Sequence, residues 1–171
     1  LLTFVRLGVI LPPWKSAAEG SGGGYAQSGL GLGPGFFLMA VDFPKVLNEG
    51  LMGLIAKAET ELKALKHTGG DSLARLRYLQ AVILMHQAVL DFAGRYADLA
   101  ARMSETEANP VRKKELRQMA EICRRVPANP ARTFREALQS FWFVFLMINP
   151  SPTAAAGRFD QYMVPFYQAD K

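Results

Sequence analysis

The sequence predicts a mainly α-helical fold, and three observations indicate it. Apolar residues from Pro44 onward recur at spacings of three and four, which is typical of a helix with one buried face. Glycine or proline residues separate four such segments, and capping residues precede three of them. The chain of 171 residues is 50% hydrophobic and 20% charged, so it is long and apolar enough to fold around a core.

Residues 1–39 are predicted to form an irregular segment ahead of the helical part, which we place at residues 40–171. Eight of the sixteen residues between Gly20 and Gly35 are glycine, and ordering them in a helix would cost a large backbone entropy. A phosphate-binding loop is the alternative, because glycine alternates with leucine at residues 29–33. No Gly-Lys-Ser/Thr sequence follows, so a loop or linker is favoured.

The first two helices are predicted from their periodic apolar faces. Pro44 suits the first turn of the first helix, and Gly69-Gly70 breaks the chain after it. Asp71 or Ser72 can cap a second helix, which extends to Met103. The predicted buried residues of the first helix are Val46, Leu47, Leu51, Leu54, Ile55, Ala58 and Leu62; those of the second are Leu76, Leu79, Ile83, His86, Leu90, Ala93, Ala97 and Ala100, with Val82, Val89 and Tyr96 broadening the face.

The third helix is predicted between two prolines. Asn109 is a capping residue and Pro110 suits the first helical position, whereas Pro127 ends the helix. The apolar face consists of Leu116, Met119, Ala120 and Cys123. Because Cys123 is the chain's one cysteine, an intramolecular disulfide framework is excluded and a reducing, cytoplasmic setting is favoured.

The fourth helix, Phe134–Ile148, follows a predicted capping box in which the side chains of Thr133 and Glu136 each bind a backbone amide of the other residue. This helix is apolar on almost every side, which predicts burial inside a body larger than 171 residues. The start at Leu1 and the lack of a helix-ending signal before Lys171 give the same expectation of a fragment. No apolar run reaches the roughly 20 residues of a transmembrane helix, so no membrane partner is predicted.

Basic residues concentrate between residues 111 and 135, where eight Lys or Arg accompany two Glu. Such a patch is compatible with a helical module that binds nucleic acid or an acidic protein. A solvated helix face explains the same pattern without a partner, and we favour it. The sequence therefore predicts no nucleic acid partner, with the binding module as an alternative function.

The titratable residues form no recognisable catalytic or metal site. His67 and His86 have no accompanying ligand cluster, so no metal is predicted. His86 lies on the predicted buried face and is interpreted as a hydrogen-bonded core residue rather than a catalytic base. Arg124 and Arg125 could activate Cys123 as a thiolate, but packing of this small side chain is favoured.

The segment of residues 149–162 has the most unusual composition. Two prolines exclude a helix at its start, and small residues follow that allow close approach of other groups. For Arg158 and Asp160 we predict a buried polar network, because unpaired buried charges are costly. That network either fixes the fold or shapes the wall of a pocket.

Four stretches, in this order, resemble the glycyl radical enzymes, the family of pyruvate formate-lyase. They are Asp42–Leu51, Phe92–Ala100, Arg112–Pro127, and Thr133–Gln139 leading to Gly157–Tyr162. The resemblance implies an enzyme that stores a radical on a backbone glycine and passes it to a cysteine, whose thiyl abstracts hydrogen from a small-molecule substrate. It also implies a ten-stranded α/β barrel wrapped by helices, and residues 40–171 resemble the helical wrapping and the approach to that barrel.

The resemblance implies that the radical chemistry lies elsewhere in the parent chain. Neither a Gly-Cys thiyl loop nor an Arg-Val-x-Gly-Tyr-like radical loop occurs here, and Cys123 does not match the radical cysteine. No catalytic or cofactor-binding residue is therefore assigned, and the isolated chain is predicted to be inactive. The implied partners are the remainder of the parent chain, a radical S-adenosylmethionine activating enzyme that installs the glycyl radical, and a second copy in a homodimer.

The segment before Arg158 departs from the family pattern. Relatives that act on polyols and choline usually show Glu-x-Asn-Gly-His-Ser-x-Ser, whereas residues 148–155 here read Ile-Asn-Pro-Ser-Pro-Thr-Ala-Ala. Thr153 takes the place of a substrate-contacting serine, and Ser151, Thr153 and Arg158 are the predicted substrate-binding residues.

The loss of polar groups from that segment favours an apolar substrate, because buried polar groups need partners. The predicted function is radical C–C or C–X bond chemistry, with addition of hydrocarbons or aromatics to fumarate, as in alkylsuccinate and benzylsuccinate synthases, as the favoured branch. A glycyl radical dehydratase or decarboxylase is the alternative.

Overall fold

The structure confirms a mainly helical chain. The computed structural model describes residues 39–65, 70–148 and 154–171. Within these ranges the elements are β1 Met39–Ala40, α1 Phe43–Ala64, α2 Gly70–Thr106, α3 Pro110–Arg125, α4 Phe134–Ile148, β2 Ala154–Ala155 and α5 Phe159–Ala169. The strands β1 and β2 pair in a two-stranded sheet.

The chain divides into two compact units. The first comprises Leu1–Met39 and Ser151–Ala155, of which the structure describes Met39, Ala154 and Ala155. The irregular segment predicted at residues 1–39 therefore lies outside the described residues, apart from Met39. The second unit, Ala40–Pro150 with Ala156–Lys171, contains the five helices described here.

Helix α1 begins as predicted but is kinked within its apolar face. Asp42 caps it by accepting a hydrogen bond from the amide of Lys45 at 3.2 Å. Gly50 has φ of 70° and ψ of 160°, outside the helical region. The break frees the next two amides, which donate to the carbonyl oxygens of Pro127 and Ala128 at 2.8 and 3.0 Å. The regular helix predicted from the apolar spacing is therefore wrong at Gly50.

Helices α2, α3 and α4 pack together through small residues and one aromatic ring. Ala93 and Ala97 of α2 are buried in one cluster with Cys123 of α3 and Phe143 of α4. The prediction that Tyr96 broadens the buried face is wrong, since this side chain is 45% exposed. The Tyr96 ring lies 5.8 Å from the Phe143 ring at the edge of this cluster, so part of the Tyr96 side chain stays in contact with solvent.

The caps of α3 and α4 were predicted with different success. Asn109 caps α3 by accepting from two backbone amides, as expected. At α4 the Thr133 hydroxyl accepts from the amide of Glu136 at 3.1 Å, which is half of the predicted capping box. The Glu136 carboxylate does not return to Thr133. It binds the backbone and side chain of Arg132 and the side chain of Arg125, because charged donors make stronger hydrogen bonds than a neutral amide.

Helix α5 lies where the sequence predicted no helix. The residue at its N-cap, Arg158, makes no side-chain capping hydrogen bond, and Pro165 lies inside the helix, so the usual start signal is missing. Aromatic packing holds α5 in place instead. The ring of Tyr162 stacks on Phe43 of α1 at 5.6 Å, and Phe159 contacts Phe141 of α4 at 4.9 Å.

Candidate functional site

An open groove of about 340 Å³ lies between the first turns of α1 and helix α5. Its apolar floor includes Leu47, Tyr162 and Phe166, while Asn48, Arg158 and Gln161 supply polar groups along the same groove. The groove therefore joins one guanidinium and two side-chain amides to an apolar surface. Such a mixture suits a small organic molecule that carries a polar or anionic group.

Arg158, one of the three predicted substrate-binding residues, lines this groove. The predicted buried network around it is wrong, because the side chains of Arg158 and Asp160 are 71% and 75% exposed. Their closest charged atoms, Nε and Oδ1, are 3.7 Å apart, as in a solvent-screened surface pair. Both residues lie at the start of α5. Met163 is the buried residue of this helix, so its first turn is open to solvent.

Ser151 and Thr153, the other two predicted substrate-binding residues, lie outside the residues that the structure describes. Their role stays a prediction. The described chain resumes at β2, immediately after Thr153, and reaches Arg158 through Gly157, whose φ of 64° suits a residue without a side chain.

Tyr162 fixes the backbone just before this turn. Its hydroxyl donates a hydrogen bond to the carbonyl oxygen of Ala156 at 2.6 Å. Burial raises the pKa of Tyr162 to about 12, and the phenol is protonated at neutral pH, as an ordinary tyrosine is, so it can donate this bond. Tyr162 was identified only as the end of the family-like stretch Gly157–Tyr162, and the sequence does not show which carbonyl oxygen the phenol reaches.

The remaining candidate residues are structural in character. His86 Nδ1 lies 2.6 Å from the carbonyl oxygen of Val82, in agreement with the predicted hydrogen-bonded histidine. Cys123 is buried, and burial raises the pKa of its thiol, which disfavours the alternative of a reactive thiolate. His67 lies outside the described residues. Over those residues, no group of three His, Cys, Asp or Glu side chains is arranged to hold a metal ion.

The basic segment is partly neutralised by carboxylates. Arg112 pairs with Glu115, and Arg124 lies 3.7 Å from Asp98. Arg125 and Arg132 both bind Glu136, whose side chain is only 5% exposed. Four of the eight basic residues in the segment thus lie against carboxylates, and both interpretations of residues 111–135, a solvated helix face and a nucleic acid-binding patch, stay predictions. No described helix is long and apolar enough to span a membrane.

Glu136, just after the basic segment, is the carboxylate that binds two of its arginines. Burial alone would raise its pKa, but hydrogen bonds from Arg132 and Arg125 outweigh that effect and bring the pKa below its usual range. The spacing of four residues between Arg132 and Glu136 was the one sequence signal for this pair. The contribution of Arg125, which comes from the end of α3, had no such signal.

Comparison with known proteins identifies similar chains. A protein family described as pyruvate formate lyase-like matches residues 34–171. Isethionate sulfite-lyase from Oleidesulfovibrio alaskensis is 40% identical over 134 residues, which are 75% of this chain and 16% of that protein. The chain thus spans about one sixth of the length of this relative.

Solved structures show the same similarity in three dimensions. The glycerol-bound B12-independent glycerol dehydratase from Clostridium butyricum has a TM-score of 0.75 and 35% identity, over 80% of this chain and 18% of that one. Hydroxyproline dehydratase from Clostridioides difficile, with trans-4-hydroxy-L-proline bound, has a TM-score of 0.73 and 27% identity, over 98% of this chain and 21% of that one.

Proposed function

Since the chain belongs to the pyruvate formate lyase-like family of glycyl radical enzymes, we propose that it is the helical part of an enzyme that eliminates a leaving group from a small organic substrate. The observation that carries this proposal is the 40% identity to isethionate sulfite-lyase. Dehydratases of a sulfopropanediol and of trans-4-hydroxy-L-proline are each 32% identical. All three names describe the removal of a group, sulfite in the first and water in the other two.

This proposal corrects the favoured branch of the sequence analysis. The similar proteins named here are lyases and dehydratases, and they give no support to the addition of hydrocarbons to fumarate. An apolar substrate was expected because residues 148–155 lack the polar groups of the family pattern. A lyase or dehydratase substrate carries its own polar leaving group, and Ser151 and Thr153 are the hydroxyl residues of that segment that we propose to bind it.

Ser151, Thr153 and Arg158 are the proposed substrate-binding residues of this chain. The exposed guanidinium of Arg158 lines the groove and is held near Asp160 only by a long surface contact, so it is available to bind an anionic substrate group. Tyr162 would keep the backbone at Ala156 in place through its 2.6 Å hydrogen bond. The described residues thus bind and orient, and the reacting radical belongs to the rest of the parent chain.

A glycyl radical, installed by a radical S-adenosylmethionine activating enzyme, supplies hydrogen abstraction in this proposal. The chain then acts only as part of its parent chain, in the cytoplasm and as a homodimer. We assign no cofactor-binding residue to this chain. Taken alone, the chain is inactive in this account.

The test is a substrate screen of the full-length gene product after anaerobic activation. Isethionate, glycerol and trans-4-hydroxy-L-proline would be supplied separately, with toluene plus fumarate as the matched test of the addition branch. We expect an elimination product from a substrate with a leaving group, at least about tenfold above unactivated enzyme. An adduct of toluene and fumarate, with no elimination product, would overturn the proposal and would support addition to fumarate instead.

A further inference from the structure

Helix α5 contains a proline on the side that faces the groove. Pro165 lies inside the helix, and both Pro165 and Gln161, four residues earlier, line the groove. Residues four apart lie on the same face of a helix. In a regular helix the backbone amide of residue 165 would donate to the carbonyl oxygen of Gln161. Proline has no amide hydrogen, so this helical hydrogen bond is missing from α5.

The Gln161 carbonyl oxygen lies on the groove side of α5. A helical carbonyl points along the axis toward the residue four positions later, which places this oxygen between two side chains that line the groove. The proline ring also crowds that carbonyl, and the crowding turns it outward from the helix axis. Gln161 and Pro165 are both exposed. A ligand that enters the groove therefore reaches this oxygen.

Two other carbonyl oxygens near the start of α5 already have donors within the chain. The carbonyl oxygen of Arg158 accepts hydrogen bonds from the amides of Gln161 and Tyr162 at 2.9 and 3.3 Å. The carbonyl oxygen of Ala156 accepts from the phenol of Tyr162 at 2.6 Å. The Gln161 carbonyl differs from both because the sequence itself removes its helical donor.

This oxygen adds an acceptor to a groove whose charged group is a donor. The guanidinium of Arg158 donates only, so it suits a carboxylate or sulfonate. A backbone carbonyl accepts only, so it binds a hydroxyl or an ammonium group. Among the described residues that line the groove none is Asp or Glu, and an ammonium group would have no opposite charge there. A hydroxyl group is therefore the donor that this groove favours.

We infer that the Gln161 carbonyl oxygen is a specificity-determining acceptor, which selects a small organic anion with a hydroxyl group over the same anion without one. Arg158 and Gln161 are three residues apart, or about 4.5 Å along the helix axis, so a molecule of a few carbon atoms spans them. The inference rests on the proposed function for the anionic group at Arg158. It adds the hydroxyl group and the backbone atom that binds it.

The test compares two anions that differ by one hydroxyl group, isethionate and ethanesulfonate. Isothermal titration calorimetry gives the dissociation constant of each for the full-length protein before activation. We expect isethionate to bind about fivefold more tightly, as one hydrogen bond in an open groove allows.

Pro165→Ala is the variant that removes this preference. Its new amide donates to the Gln161 carbonyl oxygen and competes with the ligand hydroxyl. The ratio of the two dissociation constants should fall to within about twofold of one, while the affinity for ethanesulfonate stays within about twofold of wild type. Alanine is the better helix former, so this variant keeps its fold.

Two further variants separate the carbonyl from its surroundings. Pro44→Ala removes a proline ring from the same groove at the first turn of α1, where a proline frees no carbonyl, so the fivefold ratio should remain. Gln161→Ala removes the side-chain amide and keeps the carbonyl oxygen, so the ratio should remain in this variant as well.

Four results would overturn this inference. They are equal binding of the two anions by the wild type, no measurable binding of either, a Pro165→Ala variant that keeps the wild-type ratio, and a Gln161→Ala variant that loses it. None of these measurements requires turnover. A protein that binds the anions with the expected ratios but forms no elimination product after activation would contradict the proposed function and support this inference.

Discussion

Two arginine–carboxylate groups in this chain show how surroundings decide what an ion pair does. At the start of α4, Glu136 is 5% exposed and binds Arg125 and Arg132. At the start of α5, Arg158 and Asp160 are 71% and 75% exposed and 3.7 Å apart. Both groups lie beside a helix N-terminus and contain the same functional groups. The first group stabilises the contact between the end of α3 and the start of α4, whereas the second leaves the Arg158 guanidinium available to a ligand.

Residues 126–132 connect the Glu136 ion pairs to the kink of α1 through backbone hydrogen bonds. The carbonyl oxygens of Pro127 and Ala128 accept hydrogen bonds from α1, and the amide of Ala131 donates to Leu47 at 2.9 Å. Arg125 further donates to the carbonyl oxygen of Pro130 at 3.0 Å. The contrast therefore lies between a braced core junction and an open groove.

Gly50→Ala should produce the largest effect, because it breaks the braced region at its tightest point. An added Cβ would lie 2.5 Å from the Ala128 oxygen, and the φ of 70° is unfavourable for alanine. We expect a loss of about 3 kcal/mol in the free energy of unfolding, measured by urea denaturation.

Gly53→Ala is the matched control for that variant. It lies in the same helix, and its added Cβ would make only an ordinary contact of 3.6 Å. Alanine is the better helix former, so this variant should gain up to about 1 kcal/mol. Equal losses in the two variants would contradict the tight junction at Gly50.

Glu136→Gln should have the second largest effect, about 2 kcal/mol, because two arginines lose their carboxylate while one of them stays partly buried. The native pKa lies below the unfolded value of about 4.3. The carboxylate's contribution is therefore complete at neutral pH and declines as the pH falls through about 4 and below. Unfolding curves of both proteins between pH 3 and 7 check this. An equal difference between wild type and variant at every pH would exclude the ion pairs as the cause.

Tyr162→Phe should cost about 1 kcal/mol, because the aromatic ring is kept while the carbonyl oxygen of Ala156 loses its donor. Tyr167→Phe on the same helix is the control, since Tyr167 is 53% exposed, and it should change stability by less than about 0.5 kcal/mol. Thermal unfolding measures both variants. A Tyr162→Phe variant as stable as the control would show that the hydrogen bond does not hold this turn.

Arg158→Ala should have the smallest effect on stability, below about 0.5 kcal/mol, because its pair with Asp160 is exposed. Its expected effect is on substrate binding, as a rise in KM of about tenfold or more in the activated full-length enzyme. Lys45→Ala, exposed at the start of α1, is the control for loss of a nearby positive charge. An unchanged KM for Arg158→Ala would remove Arg158 from the proposed binding residues.

The sequence predicted the four helices α1 to α4, because their apolar periodicity is a local property. The predicted caps of α2 are wrong, since Asp71 and Ser72 lie inside a helix that begins at Gly70. The sequence did not predict the kink at Gly50, since the apolar spacing continues unchanged across it and the partner carbonyls lie more than 70 residues away. Helix α5 was missed because it begins without a capping side chain and contains Pro165. Its stability comes from aromatic contacts with Phe43 and Phe141, which are distant in sequence.

The candidate site was predictable only in its residue types. Arg158 was identified from a motif, but its exposure depends on how α5 packs, and its cost as an unpaired buried charge led to the opposite expectation of burial. The fold family was recognised from four ordered stretches, whereas the chemical branch was inferred from residues 148–155 alone. Similarity over the longer range of residues 34–171 corrects that inference, because it includes the residues that surround the segment.

Electron paramagnetic resonance tests whether this chain belongs to an enzyme that carries a glycyl radical. The full-length gene product would be incubated without oxygen with a radical S-adenosylmethionine activating enzyme, once with natural glycine and once with glycine labelled with ¹³C at Cα. We expect an organic radical signal that broadens or splits with the label. A radical signal that the label leaves unchanged, or no signal while a related dehydratase is activated under the same conditions, would contradict it.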